Sequence, residues 1–237
     1  MADIQLGDLK IELVRKDIKN LHLTVLPPDG HVRIAAPAHM RMESIRAFAI
    51  SRLAWIRNQQ GRIQAQDREL PRDYCHKESH FLWGRRYLLE RVDNDAAPTV
   101  DIKRNRLVLR VRPGSDGAKC HAIMDAWYRA QVRAALPALI AKWAPIIKVE
   151  VGRVIVRRMK TMWGGCNPAS GIIRLNTDLA KKPIECLEYI VVHEMTHLLE
   201  PTHNARFQAL MDLFLPHWRE LRARLNQLPV RHEDWKY

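Results

Sequence analysis

The sequence predicts an α+β protein in two parts: a β-rich N-terminal domain and a C-terminal domain in which helices surround a small sheet. Three patterns support this prediction. Apolar and polar residues alternate over much of the first third of the chain, as is typical of half-buried strands. A long stretch after residue 120 has helical spacing, and an apolar run near residue 190 predicts a buried helix.

The N-terminal domain is expected to contain several strands and one helix. Apolar alternation predicts strands around 11–13, 21–25, 32–34 and between 81 and 111, with a Pro-Pro-Asp-Gly turn at 27–30. Helical spacing predicts a helix over 41–66, and the charged stretch 67–79 is typical of a loop. The strongest break is Arg-Pro-Gly-Ser-Asp-Gly at 112–117. We therefore predict domains over 1–114 and 115–237.

The second domain is expected to begin with a long backing helix. Apolar residues keep helical spacing from Ile123 to Trp143, but Pro137 falls inside and predicts a kink or two helices. A strand over 149–156 and a hairpin around the turn 167–171 should follow. Three more helices are predicted: one with Pro183 in its first turn, one capped by Asn204 or Thr202, and one that starts at Pro216.

The composition is that of an ordinary globular protein. The chain has 237 residues, of which 47% are hydrophobic and 27% are charged. It contains no apolar run long enough to span a membrane, and its N-terminus lacks the pattern of a signal peptide, so we expect a cytoplasmic protein without a membrane contact. Its four cysteines include no Cys-x-x-Cys pair, which argues against a disulfide framework or a cysteine-ligated zinc site.

The net charge of +13 is spread along the whole chain. Such a charge attracts polyanions over long range without identifying one. Acidic protein substrates, nucleic acid and a merely solvated basic surface all remain open as interpretations. No pattern in the sequence indicates an oligomeric state.

The most specific motif is His-Glu-Met-Thr-His at 193–197, followed by His203. Two histidines four residues apart lie on one face of a helix, one turn from each other, so the imidazoles of His193 and His197 can reach the same metal ion. His203 can supply a third nitrogen. Glu194 lies beside the first ligand, where a carboxylate can take a proton from a water on the metal. This is the pattern of a zinc hydrolase.

A helix stop separates the third histidine from the first two. Pro201 disfavours the α conformation at Glu200 and cannot continue the helical hydrogen bonds, so the chain can turn back towards the metal. Metzincins have a glycine where this chain has Glu200, and the turn must therefore be built differently. If His203 is only a surface histidine, Asp212 is the alternative third ligand.

The predicted chemistry is peptide hydrolysis by a zinc-activated water, with Glu194 as general base. Three neutral nitrogens leave the zinc ion its double positive charge and one position for water. The group that stabilises the oxyanion is not evident from the sequence. Arg157, Lys160 and Tyr189 are candidates, although each is more simply explained as a surface or packing residue.

A resemblance to a known family is carried by residues 157–166, 171–176, 191–194 and Phe207. Through these residues the chain is similar to the YgjP-like family of predicted metal-dependent hydrolases, which is related to the SprT and WLM proteins. The resemblance covers most of the chain and is strongest over 157–218. It implies a gluzincin-like minimal fold with a backing helix, a small sheet with one free edge, the zinc helix and C-terminal helices. It also implies that His193, His197 and His203 bind zinc and that Glu194 is the catalytic base.

The hairpin before the motif predicts where a peptide or protein substrate binds. A substrate can add as a strand to the free edge of a sheet, and Gly164 and Gly165 would permit close backbone approach while Trp163 lines a pocket. The alternative is that Trp163 belongs to the core and the glycines form a bulge. Two other functions stay open: a DNA-associated protease of the SprT kind, or a non-catalytic module with a structural zinc.

Overall fold

The computed structural model describes residues 2–27, 29–65, 69 and 72–230. The chain divides into two compact units: unit 1 comprises Met1–Glu69 and Pro229–Tyr237, and unit 2 comprises Leu70–Leu228. Each unit has its own hydrophobic core. Within the described residues, no helix combines the length and the apolar character that crossing a membrane requires.

Unit 1 is a four-stranded sheet with two helices. Its elements are β1 (Ala2–Leu6), β2 (Leu9–Lys16), β3 (His22–Leu26), β4 (His31–Pro37), α1 (Met42–Ser51) and α2 (Leu53–Ala65). The strand order is β1-β2-β4-β3, with β2 and β4 parallel. The strands predicted here are confirmed. The single helix expected over 41–66 is interrupted at Arg52, and Pro28 of the predicted turn lies outside the described residues.

Unit 2 begins with a second four-stranded sheet. Its strands are β5 (Ser79–Leu82), β6 (Arg85–Asp93), β7 (Thr99–Lys103) and β8 (Arg106–Val111), in the order β5-β6-β8-β7. The helix α3 (Gly117–Ile147) follows, and the Asp116 carboxylate caps it by accepting a hydrogen bond from the Lys119 amide at 2.8 Å. The helix runs through Pro137 without a break, so the alternative of two helices is wrong.

The remainder of unit 2 is a small sheet and three helices. The strands are β9 (Arg153–Arg157), β10 (Gly164–Asn167) and β11 (Ile172–Asn176), and the helices are α4 (Ile184–Thr196), α5 (Ala205–Phe214) and α6 (Trp218–Gln227). The strand order is β10-β11-β9, which leaves β10 at an edge of the sheet. The helix α4 packs against β10, β11 and α3. A 3₁₀ turn over Thr177–Lys181 links β11 to the start of α4.

The predicted boundary at residues 114–115 falls inside unit 2, between β8 and α3. Buried residues of β8, such as Leu109, and of α3, such as Met124, belong to the same hydrophobic core. The Pro-Gly segment there forms a tight turn, in which Gly114 adopts a φ of 74°, and does not act as a linker. The division between the units falls instead within the predicted loop 67–79, of which residues 67, 68, 70 and 71 lie outside the described part of the chain.

Candidate metal centre

The helix α4 supplies the rigid part of the site. Pro183 precedes its first residue, and the following apolar run buries Leu187, Tyr189 and Ile190, which project from different sides of the helix. A helix surrounded in this way is held by packing and not by local propensity alone. It therefore fixes the direction in which His193 and Glu194 project.

Three imidazole rings converge beyond the end of α4. The Nε2 atom of His203 lies 2.9 Å from that of His193 and 3.1 Å from that of His197. One ligand atom from each of the three residues can be chosen so that all lie within 4.8 Å of one another. Three neutral nitrogens around one point are the donor set that zinc and other first-row divalent metals favour. The three side chains fit such an ion.

The surroundings keep these rings in the form that binds a metal. The His197 Nδ1 atom lies 3.0 Å from the Glu200 carbonyl oxygen; since a carbonyl only accepts, Nδ1 carries the proton and Nε2 presents its lone pair. Burial, together with the positive charge that His197 and His203 would carry, lowers the pKa of His193 to about 3. Burial and the charge of His197 also lower the pKa of His203. Both rings are therefore neutral near pH 7.

Phe207 forms an apolar floor under the three rings. Its ring stacks on His197 with centroids 4.5 Å apart, and its centroid lies 4.9 Å from that of each of the other two histidines. Phe207 enters α5 in its first turn, where the Asn204 side-chain oxygen accepts a hydrogen bond from its amide. No local sequence pattern predicts a role for Phe207 in the site, because its position depends on how α5 returns across the helix α4.

A chain of polar contacts shapes the turn that carries His203. The Glu200 carboxylate accepts a hydrogen bond from the Thr202 hydroxyl at 3.0 Å, and the side-chain amide of Asn204 donates to that hydroxyl at 3.1 Å. This turn thus uses a carboxylate where metzincins use a glycine. Asp212, the alternative third ligand, accepts hydrogen bonds from Trp218 and Arg219 instead and is not part of the group that could hold a metal.

Glu194 is buried directly against the edge strand. The residue is only 4% exposed, and its Oε2 atom has no hydrogen-bond partner among the described residues. Burial raises the pKa of its carboxyl group to about 8. A Cβ atom at Gly164 would lie 2.5 Å from Glu194 Oε1. The absence of a Cβ at Gly164 thus leaves the space that the Glu194 side chain occupies.

The predicted substrate residues lie at the same edge. Trp163 precedes β10, is half-buried and packs against the core of unit 2. Gly164 and Gly165 pair regularly with Leu175 and Arg174, so the proposed bulge is absent from this strand pair. A Cβ at Gly165 would meet nothing within 4 Å, which leaves open space beside that residue.

The three candidates for oxyanion stabilisation differ in position. Arg157 and Lys160 are exposed and lie in or after β9. The Tyr189 ring packs edge-on against His193, with centroids 5.8 Å apart. Burial raises the pKa of the Tyr189 hydroxyl to about 12, so it stays protonated at neutral pH and can donate a hydrogen bond.

These features are those of a metallopeptidase domain, and the comparison with protein families agrees. The YgjP-like metallopeptidase domain matches residues 19–228, and the chain belongs to this family. Among solved structures, the chain is similar to the metallopeptidase zymogen of Pyrococcus abyssi abylysin, with 22% identity and a TM-score of 0.35 over 38% of this chain and 90% of that one. No curated protein matches the sequence.

Proposed function

We propose that the protein is a zinc-dependent peptidase in which Glu194 acts as general base. The observation that carries this proposal is the convergence of three imidazole nitrogens beside a buried carboxylate. The metallopeptidase family supports hydrolysis of a peptide bond. Zinc is the metal we favour, because the donor set is nitrogen alone and no described cysteine or carboxylate joins it.

His193, His197 and His203 would hold the ion. When bound, a zinc ion supplies a Lewis acid that acidifies water and polarises a carbonyl group. The chain contributes the orientation of the rings, through the Glu200 carbonyl on His197 and the Phe207 floor below all three. These contacts stabilise one arrangement of the ligands before any substrate arrives.

Glu194 would carry the proton during hydrolysis. It takes a proton from the attacking water and passes it to the amine nitrogen as the peptide bond breaks. Its Oε2 atom has no hydrogen-bond partner among the described residues and is therefore available for this proton exchange. Its burial beside β10 also limits the competing water around it.

The substrate would be an extended, unfolded segment of polypeptide. We propose that it adds to β10 as an additional strand, through hydrogen bonds from its main chain. The edge position of β10 and the open space beside Gly165 support this arrangement. Trp163 would contact a substrate side chain, and Gly164 would keep Glu194 close to the scissile bond.

A second candidate rests on charge. The net charge of +13 favours contact with nucleic acid, as a DNA-associated protease of the SprT kind would make. Such binding should weaken steeply with salt, so titration of duplex DNA at two ionic strengths tests it. Affinity that does not depend on salt would argue against this role.

The proposed function can be tested with one pair of variants. In Glu194→Gln the protein should retain zinc but lose cleavage of a quenched, fluorescent, unfolded casein by a factor of about 100 or more. Glu185→Gln is the control, because Glu185 is an exposed residue of the same helix. If the Glu194 variant keeps full activity, Glu194 is not the base. If the wild type binds zinc, unfolds without it and cleaves nothing, the zinc is structural.

A further inference from the structure

Asn176 makes more hydrogen bonds to the segment that leads into β10 than strand pairing of β11 requires. It is the last residue of β11 and only 5% exposed. Its side-chain amide donates to the Met159 carbonyl at 2.8 Å and to the Met162 carbonyl at 2.9 Å. Its backbone amide donates to the Trp163 carbonyl at 2.9 Å. One residue thus binds three carbonyl groups of the segment that leads into β10.

Apolar contacts hold only part of that segment. Residues 158–163 connect β9 to β10 without regular secondary structure. Met159 is buried, whereas Met162 is 56% exposed. Trp163 also packs against the core of unit 2, so hydrogen bonds act together with these apolar contacts to define the conformation of the segment.

The same side chain also reaches the connection to α4. Its Oδ1 atom accepts a hydrogen bond from the Asp178 amide at 3.1 Å and so caps the 3₁₀ turn. This turn leads into α4, the helix that bears Glu194. The Asn176 side chain therefore holds the segment before β10 through its nitrogen and the turn before α4 through its oxygen.

We propose that Asn176 is a positioning residue that sets the edge strand against Glu194. By holding residues 159–163, it places Gly164 where the strand just clears the Glu194 carboxylate. The consequence for catalysis rests on the proposed function, but the consequence for the conformation of residues 159–166 does not.

Asparagine suits this position for a specific chemical reason. The two carbonyl groups require a donor with two protons, and the Asp178 amide requires an acceptor, so a side-chain amide satisfies all three. In Asn176→Asp the shape is retained, but a carboxylate would face two carbonyl oxygens. In Asn176→Ala all three side-chain bonds are lost without a new charge, which keeps the test valid if the first variant does not fold.

The experiment compares both variants with the wild type in the full chain. Amide hydrogen exchange is measured over 159–166 and over α3, zinc affinity by chelator competition, and KM and kcat on unfolded casein. Asn94→Ala is the control, because Asn94 also uses its side chain to accept a hydrogen bond from a turn amide, that of Ala96, in the connection between β6 and β7 of unit 2.

In both Asn176 variants we expect amide exchange over 159–166 to become at least about tenfold faster and KM to rise about fivefold or more. Amide exchange in α3 and zinc affinity should change by less than about twofold. Unchanged exchange over 159–166 would overturn the proposal. So would an equal increase in α3 with a parallel loss of zinc affinity, since that is general destabilisation. If the wild type cleaves no substrate, the proposed function fails, and the exchange data still decide whether Asn176 holds the segment.

Discussion

Gly164 and Glu194 lie so close that a Cβ atom on the first would come within 2.5 Å of a carboxylate oxygen of the second. The contact joins the edge strand β10 to the helix that bears two of the candidate metal ligands. The helix α4 is enclosed by the core, β10 is paired with β11, and Glu194 is only 4% exposed, so a side chain added at Gly164 must displace one of the two. This relationship places the predicted base and the predicted substrate edge at one point.

The first prediction follows from that contact. In Gly164→Ala the new methyl group must displace the Glu194 side chain or the strand, so cleavage of unfolded casein should fall by about tenfold or more while zinc content stays unchanged. Gly117→Ala is the control, because a Cβ there meets nothing within 4 Å. Activity equal to that of the control would show that the position of the carboxylate is not critical.

The second prediction concerns the third ligand. His203→Ala should weaken zinc binding on the order of a hundredfold or more, because one of three nitrogen donors is lost. Chelator competition measures the change, and His39→Ala, at an exposed histidine of unit 1, is the control. Zinc affinity that equals the control would mean that the ion is held by other side chains.

The third prediction concerns the aromatic floor. Phe207 is 1% exposed and contacts all three imidazoles, so Phe207→Ala should lower the free energy of unfolding by about 3–5 kcal/mol. Denaturant unfolding with zinc removed measures this loss free of any contribution from the metal. Leu213→Ala, at a residue of the same helix that is 72% exposed, should have little effect. Equal effects in the two variants would contradict the packing role of Phe207.

The fourth prediction is a pH dependence in unit 1. The Glu12 carboxylate accepts hydrogen bonds from Arg33 and His31, and these bonds, that from Arg33 above all, lower its pKa from 4.5. Because the pKa is lower in the folded state, the stabilisation is present above about pH 4.5 and is lost as the pH falls through the folded value. The protection factors of amides in β2 and β4, which correct for the pH dependence of intrinsic exchange, should therefore fall on acidification below pH 4.5.

Glu12→Gln provides the comparison for this measurement. Glutamine keeps the size of the side chain but does not titrate, so the protection factors of β2 and β4 in the variant should depend less on pH over the same range. Identical pH profiles for the wild type and the variant would exclude Glu12 as the source of the effect.

The convergence of the histidines could be predicted from the sequence because it depends on local geometry. His193 and His197 are one helical turn apart, and Pro201 allows the chain to reverse before His203. The contact between Gly164 and Glu194 could not be predicted in the same way, because it depends on how an edge strand packs against α4. The sequence indicated that Gly164 permits a close approach, but the neighbour is a side chain of the protein itself.

The organisation of the units was less accessible from sequence. The Pro-Gly break at 112–117 is a strong local signal, yet burial of Leu109 and Met124 in one core joins the elements on either side of it. The helix expected over 41–66 has an interruption at Arg52 that its apolar spacing does not reveal. Asn176 has no local signal either, because its partners at 159–163 lie in another segment of the chain.

The most direct test of the proposed centre is X-ray absorption spectroscopy of the zinc-loaded protein. The arrangement of the side chains predicts three imidazole nitrogens at about 2.0–2.1 Å from the metal, with one further light atom. The His203→Ala spectrum should then show two imidazoles. A wild-type spectrum with a sulfur ligand, or one with fewer than three imidazoles, would contradict the proposed metal centre.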